Sequence, residues 1–115
     1  MTDTGKLMIR HEDTTLHFTI LCDVDHRGAG DLRQSMDSAI YFYRPKTCVI
    51  DLSRVDFMDS SGLGLILGRR AVAEEISATL ILQDPSAGVQ KILNLAGMER
   101  LITIRYGGSH EKVRK

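Results

Sequence analysis

Asp59-Ser60-Ser61-Gly62-Leu63-Gly64 decides how this chain is read. Before it stands an apolar run, Thr47-Cys48-Val49-Ile50-Asp51-Leu52, and after it a second apolar run from Leu63 to Ala73. The first run is nearly continuous, as expected of a strand covered on both faces. The second carries a helix, predicted over Ser61 to Glu75. A serine therefore sits where a strand hands over to a helix. At such a junction backbone N–H groups point outward and the helix dipole favours negative charge. A hydroxyl placed there can cap the helix, attack an electrophile or receive a phosphoryl group.

The same change of period recurs on both sides of the junction. Lys6 to Arg10 predicts a strand, and the polar His11-Glu12-Asp13-Thr14 a hairpin turn. Leu16, Phe18, Ile20 and Cys22 then alternate with polar residues, the period of a half-buried strand. After Gly30 the apolar residues Leu32, Met36, Ala39, Ile40 and Tyr43 form one helical stripe. Arg44-Pro45 ends it, because the residue before proline is pushed out of the helical region. Thr79 to Gln83 predicts another strand. Pro85-Ser86 opens a third helix with Val89, Ile92, Leu93 and Ala96 inward and Gly97 as its C-cap. Leu101 to Tyr106 predicts a last strand, and from Gly107 the chain turns polar and basic.

The predicted order is β-β-α-β-α-β-α-β. Short strand–helix–strand connections make right-handed crossovers and parallel neighbours. The expected fold is therefore α/β: a mixed, largely parallel sheet of about five strands with about three helices, led by a β-hairpin. Residues 1–115 read as one domain with an ordered core over about 6–106. In such sheets function sits beyond the carboxyl ends of the parallel strands. Asp59-Ser60-Ser61 lies at one such end and Asp23-Val24-Asp25-His26 at another.

Fifteen basic residues balance fifteen acidic ones, which argues against nucleic acid or an anionic membrane as partner. No apolar run has the length of a membrane span, and Met1-Thr2-Asp3-Thr4-Gly5 is too polar and acidic for a signal peptide. Cys22 and Cys48 sit in strand-like runs without metal-ligand spacing, which points to reduced thiols in a cytoplasmic protein. No metal or cofactor site is expected.

Catalytic patterns fail one by one. A serine nucleophile elbow needs G-x-S-x-G, and no glycine stands two residues before Ser60. A phosphate-binding loop needs Lys-Ser or Lys-Thr after its glycines, which Gly62-Leu63-Gly64 lacks. Asp23, Asp25 and Asp59 imitate the acidic residues of a phosphate-receiver domain, but the leading hairpin is wrong for that topology. Helix capping by Asp and Ser is the plainest role for the junction. Capping leaves three features over. Phe57-Met58 is a large apolar pair beside a polar turn, with Phe57 expected inside and Met58 exposed as a contact. Gly62, Gly64 and Gly68 crowd one helix, which implies close packing on the sheet or a surface kept small for a partner. Arg69-Arg70 stands near the middle of that helix, with one of the two facing solvent.

Val55-Asp56-Phe57-Met58-Asp59-Ser60-Ser61-Gly62-Leu63-Gly64-Leu65-Ile66-Leu67-Gly68-Arg69 resembles the signature of anti-sigma factor antagonists of the STAS domain family, most of all their sporulation branch. Asp25-His26-Arg27, Leu95-Ala96-Gly97-Met98 and Leu101-Ile102 add to the resemblance. It implies a protein that is not an enzyme and needs no cofactor. Its partners would be an anti-sigma factor that is also a serine kinase, and a phosphoserine phosphatase. Ser60 would be the phosphoryl acceptor. Asp25, Met58, Asp59, Ser61, Gly62, Leu63 and Arg69 would line the partner site. A ligand-sensing or scaffold STAS module of a larger signalling complex is the alternative the same resemblance leaves open.

Overall fold

A computed structural model describes residues 2, 3 and 5–107. The expected polar, basic character of the chain beyond Gly107 lies outside the described residues. One sheet carries six strands in sequential order: β1 (Thr2–Asp3), β2 (Leu7–Glu12), β3 (Thr15–Ile20), β4 (Thr47–Asp51), β5 (Thr79–Gln83) and β6 (Thr103–Arg105). β2 pairs antiparallel with β1 and β3, and β3 to β6 are parallel neighbours. The two-residue β1 is an edge strand beyond the five expected from the periodicity. Helices α1 (Ala29–Tyr43), α2 (Ser60–Glu75) and α3 (Ala87–Leu95) form the crossovers, and a short 3-10 turn, Met98–Arg100, leads into β6.

The hairpin turn is tighter than the run of polar residues suggested. β2 continues through His11 and Glu12, which pair with Leu16 and Thr15. The reversal is left to Asp13 and Thr14, with Asp13 in the left-handed region at φ 56°, a conformation that aspartate tolerates better than most residues. His11, in the strand opposite Leu16, stacks its ring on Tyr43 at 4.4 Å.

Period-two alternation then assigns the faces. Leu16, Phe18 and Ile20 of β3, Cys48 and Ile50 of β4 and Leu80 and Leu82 of β5 enter a single core cluster. From the helices it takes Leu32, Met36 and Ile40, then Leu65, Ile66, Val72 and Ala73, then Val89 and Leu93. Thr15, His17 and Thr19 lie in register with Thr47, Val49 and Asp51 on the opposite face. Val49 is buried there between His17 and Ile81. In α3 the expected inward stripe holds at Val89 and Leu93, while Ala96 is exposed just past the helix end and Gly97 takes φ 71°. Sequential order and right-handed crossovers bring the start of α1, the start of α2 and the start of α3 to the same end of the sheet. The candidate site lies there.

Candidate functional site

Asp59 is the N-cap of α2. Its backbone is extended (φ −103°, ψ −163°) and its carboxylate accepts the Ser61 N–H at 2.8 Å. Its carbonyl accepts the N–H groups of Gly62 at 3.0 Å and Leu63 at 3.3 Å. Asp59 thus satisfies two of the donors that a helix start leaves open, those of Ser61 and Gly62, and accepts the first regular helix bond from Leu63. Ser60 is the first helical residue and does none of this work. It is exposed, and its hydroxyl has no hydrogen-bond partner among the described residues. Ser61 next to it is half-buried, with its N–H held by the cap.

The turn that carries Ser60 is fastened to the loop after β3. Val24 N–H donates to Phe57 O at 3.2 Å, and Asp59 N–H donates to Val24 O at 3.2 Å. Val24 and Met58 thereby form a parallel bridge beyond the ends of their strands. Asp23 adds a side-chain clasp: its Oδ1 accepts the N–H groups of Asp56 at 2.9 Å and Phe57 at 3.1 Å. From the other side, Ser86 Oγ donates to Val55 O at 2.8 Å. Gly88 lies so close to the same loop that a Cβ there would stand 3.3 Å from Asp56 O.

Asp25 sits in the fastened loop, exposed, two residues beyond the clasp. Its Oδ1 accepts the N–H groups of Arg27 and Gly28, both at 3.0 Å, which closes the turn into α1. The Gly28 hydrogen bond holds the Asp25 carboxyl below the usual carboxylate range; desolvation opposes it, and the Arg27 N–H and charge add to the lowering. Asp25 is thus a fixed, ionised carboxylate in the loop bridged to the Ser60 turn.

Three of the residues expected at a partner surface are placed differently. Met58 is 1% exposed, and Phe57 is 51% exposed. The expectation of a buried Phe57 and a protruding Met58 is reversed. The bridge to Val24 turns Met58 inward, where it lies under Gly62. A Cβ on Gly62 would stand 2.6 Å from Met58 Cβ, so this glycine is required by packing and is itself buried. Arg69 is 4% exposed. Its Nε lies 2.9 Å from Asp37 Oδ1 of α1, an ion pair without hydrogen-bond alignment, and its Nη1 has no partner among the described residues. A guanidinium buried between two helices is removed from the surface. Arg70 is the partly exposed one, reaching Glu74 at 3.4 Å. Leu63 is half-buried against the core. Gly64 and Gly68 meet nothing within 4 Å of a hypothetical Cβ. Sheet packing does not explain them, and they leave a low surface on α2 beside the exposed Leu67. Ser60 stands between Asp59 and Ser61, and Asp25 lies in the loop that Val24 bridges to their turn. Asp23, Phe57 and Ser86 were passed over as parts of this site. For Asp23 the sequence signal is its place at the carboxyl end of a strand, separated from Asp25 by one residue.

The chemistry available is narrow. Ser60 has no base hydrogen-bonded to it, so its hydroxyl is not an activated nucleophile. Among the described residues no three His, Cys, Asp or Glu side chains are grouped to hold a metal ion. No helix among them is long and apolar enough to cross a membrane. What the site offers is an accessible hydroxyl at a helix N-terminus, flanked by fixed carboxylates.

These features are those of a STAS domain. The chain belongs to that family: the model described as "Mlab, STAS domain" matches residues 7–103. A curated relative, the anti-sigma F factor antagonist of Lysinibacillus sphaericus, is 31% identical over 84 residues, which are 73% of this chain and 72% of the relative. The anti-sigma factor antagonist SpoIIAA in its unphosphorylated form superposes with a TM-score of 0.74 at 27% identity, covering 85% of this chain and 86% of that one. The Bacillus cell fate determinant SpoIIAA in the phosphorylated form superposes with a TM-score of 0.67 at 26% identity, covering 85% and 89%. Within the family the chain is of the SpoIIAA type.

Proposed function

We propose that this chain is a cytoplasmic anti-sigma factor antagonist switched by phosphorylation of Ser60. The unmodified form binds an anti-sigma factor that is also a serine kinase, and a sigma factor is freed. The kinase transfers a phosphoryl group to the Ser60 hydroxyl, and a phosphoserine phosphatase removes it. The chain is a substrate and a binding module rather than an enzyme. The observation that carries this reading is the free hydroxyl of Ser60: Asp59 caps the helix, so the serine beside it is left exposed and unengaged.

The physics of the switch follows from that placement. A phosphoserine carries about −1.5 to −2 charge near neutral pH. At the start of α2 the helix dipole favours it by about 0.3–1 kcal/mol, so the fold survives modification. In a complex the same dianion, beside Asp59 and Asp25, must be desolvated or faced by like charge, at a cost of several kcal/mol. About 4 kcal/mol is a thousandfold in affinity. The open surface at Gly64 and Gly68, the half-exposed Phe57 and the fixed Asp25 supply a contact face around the serine.

The test is to incubate the protein with its cognate kinase and ATP and to map the phosphate. It is expected on Ser60, with Ser60→Ala unmodified. In binding to the kinase, Ser60→Ala retains affinity and Ser60→Asp loses about a thousandfold. Phosphate on Ser61, or equal affinity of the two variants, overturns the reading.

A further inference from the structure

We infer that Asp23 is a positioning residue of this site: it locks the loop before Ser60 to the loop that carries Asp25, so that the two present one preassembled surface. The inference rests on Ser60 being the phosphoryl acceptor, and extends that reading to a residue that touches neither the hydroxyl nor its immediate neighbours.

The residues that join the two loops are 33 to 35 apart in sequence, and neither loop belongs to a regular element. Their shared backbone contacts are the two Val24 hydrogen bonds, each 3.2 Å long. Asp23 contributes two shorter ones, 2.9 Å and 3.1 Å, to adjacent N–H groups of Asp56 and Phe57. A single carboxylate oxygen receiving two successive amides fixes the direction of the chain as well as its distance. The amides it holds belong to the residues immediately before Met58 and Asp59, and Asp59 is the cap that presents Ser60. On its own strand side, Asp23 lies two residues from Asp25. Val24 between them is buried and bridges to Met58. The three residues therefore divide the work. Val24 anchors, Asp23 clasps the neighbouring loop, and Asp25 closes its own turn onto Arg27 and Gly28 while facing solvent. Without the clasp, the Ser60 turn keeps its cap and its hydroxyl but loses its fixed relation to Asp25.

The experiment compares Asp23→Ala with Asp23→Asn in the full chain. Amide exchange followed by NMR reads the clasp directly. In the unsubstituted protein the Phe57 amide exchanges about tenfold or more slowly than the Arg54 amide, the weight of one hydrogen bond. This difference collapses in Asp23→Ala and persists in Asp23→Asn, which keeps an acceptor oxygen. With the cognate kinase, Asp23→Ala lowers kcat/KM for Ser60 phosphorylation by about tenfold, and Asp23→Asn restores most of it. Fast exchange at Phe57 in the unsubstituted protein overturns the inference, as does an Asn variant as impaired as the Ala variant, since that result assigns Asp23 a charge contact with the partner. A failure to phosphorylate Ser60 at all, with Phe57 protected, overturns the reading of Ser60 and leaves the clasp standing. The exchange comparison within the unsubstituted protein decides the matter if Asp23→Ala does not fold.

Discussion

Ser60 at the start of α2 and Ser86 at the start of α3 occupy neighbouring junctions of the same kind, and the fold uses them in opposite ways. Ser86 is the N-cap itself. Its hydroxyl accepts the Val89 N–H at 3.4 Å and donates to Val55 O at 2.8 Å, so both of its hydrogen-bonding capacities are engaged. Ser60 stands one residue inside its helix, behind an aspartate that has already taken the capping role. Both serines are followed two residues later by a glycine, yet the glycines differ as well. Gly62 lies against a side chain of its own turn, whereas Gly88 lies against the backbone of the neighbouring loop. A serine that stabilises a helix is tied up by it. A serine available for modification is one that a neighbour has relieved of that duty.

The sharpest way to break the comparison is through the glycines. Gly62→Ala places a methyl group against Met58 Cβ, which is too close to the main chain to swing away. We expect a loss of about 1–3 kcal/mol in chemical denaturation, the usual cost of overpacking. Gly64→Ala, on the open side of the same helix, is expected to have the opposite sign, a gain of about 0.5–1 kcal/mol. It should nevertheless weaken kinase binding if the low surface on α2 is part of the contact face. A stabilised variant that binds as well as the parent removes that face from the proposal.

The serines themselves give the next largest effect. Ser86→Ala removes a cap and a hydrogen bond to Val55 O, and is expected to lower stability by about 1–2 kcal/mol. Ser60→Ala has no such bonds to lose and should fall within about 0.5 kcal/mol of the parent in the same measurement. Comparable losses for the two would show that Ser60 is structural after all.

The smallest effect concerns pH. The folded Asp25 carboxyl titrates below its ordinary value because backbone N–H groups bind its charged form. Its contribution to stability is therefore fully present above the ordinary carboxylate value of 3.8 and is lost as pH falls through the folded value. Asp25→Asn should narrow its gap to the parent protein as the pH is lowered from neutrality into that acid range, followed by thermal melting. A gap that is constant with pH would mean that charge plays no part in closing the α1 turn.

Much of this was legible along the chain, for reasons that differ by residue. The helices and strands follow from apolar period, because a residue's face depends only on its own position in a regular element. The Asp59-Ser60-Ser61-Gly62 junction was visible because Asp and Ser in sequence before an apolar run mark a helix start. The roles of Phe57 and Met58 were not visible. They lie in an irregular loop where no period applies, and the bridge to Val24, 34 residues away, decides which of them turns inward. Which of Arg69 and Arg70 turns inward was not visible for a similar reason. Arginine favours solvent unless a partner waits inside, and that partner, Asp37, lies on another helix.

The sequence by itself determined the order of elements, the helix that Asp59 opens and the serine at its head, since local propensity and capping chemistry act between near neighbours. Only the tertiary structure decided which loop is bound to which, and what is left exposed. Those outcomes are set by hydrogen bonds and packing between segments distant in the chain: Asp23 to Asp56 and Phe57, Ser86 to Val55, and Met58 beneath Gly62. The free hydroxyl of Ser60 belongs to both levels. Its place at the helix start was written in the sequence, and its freedom was settled by the geometry of Asp59.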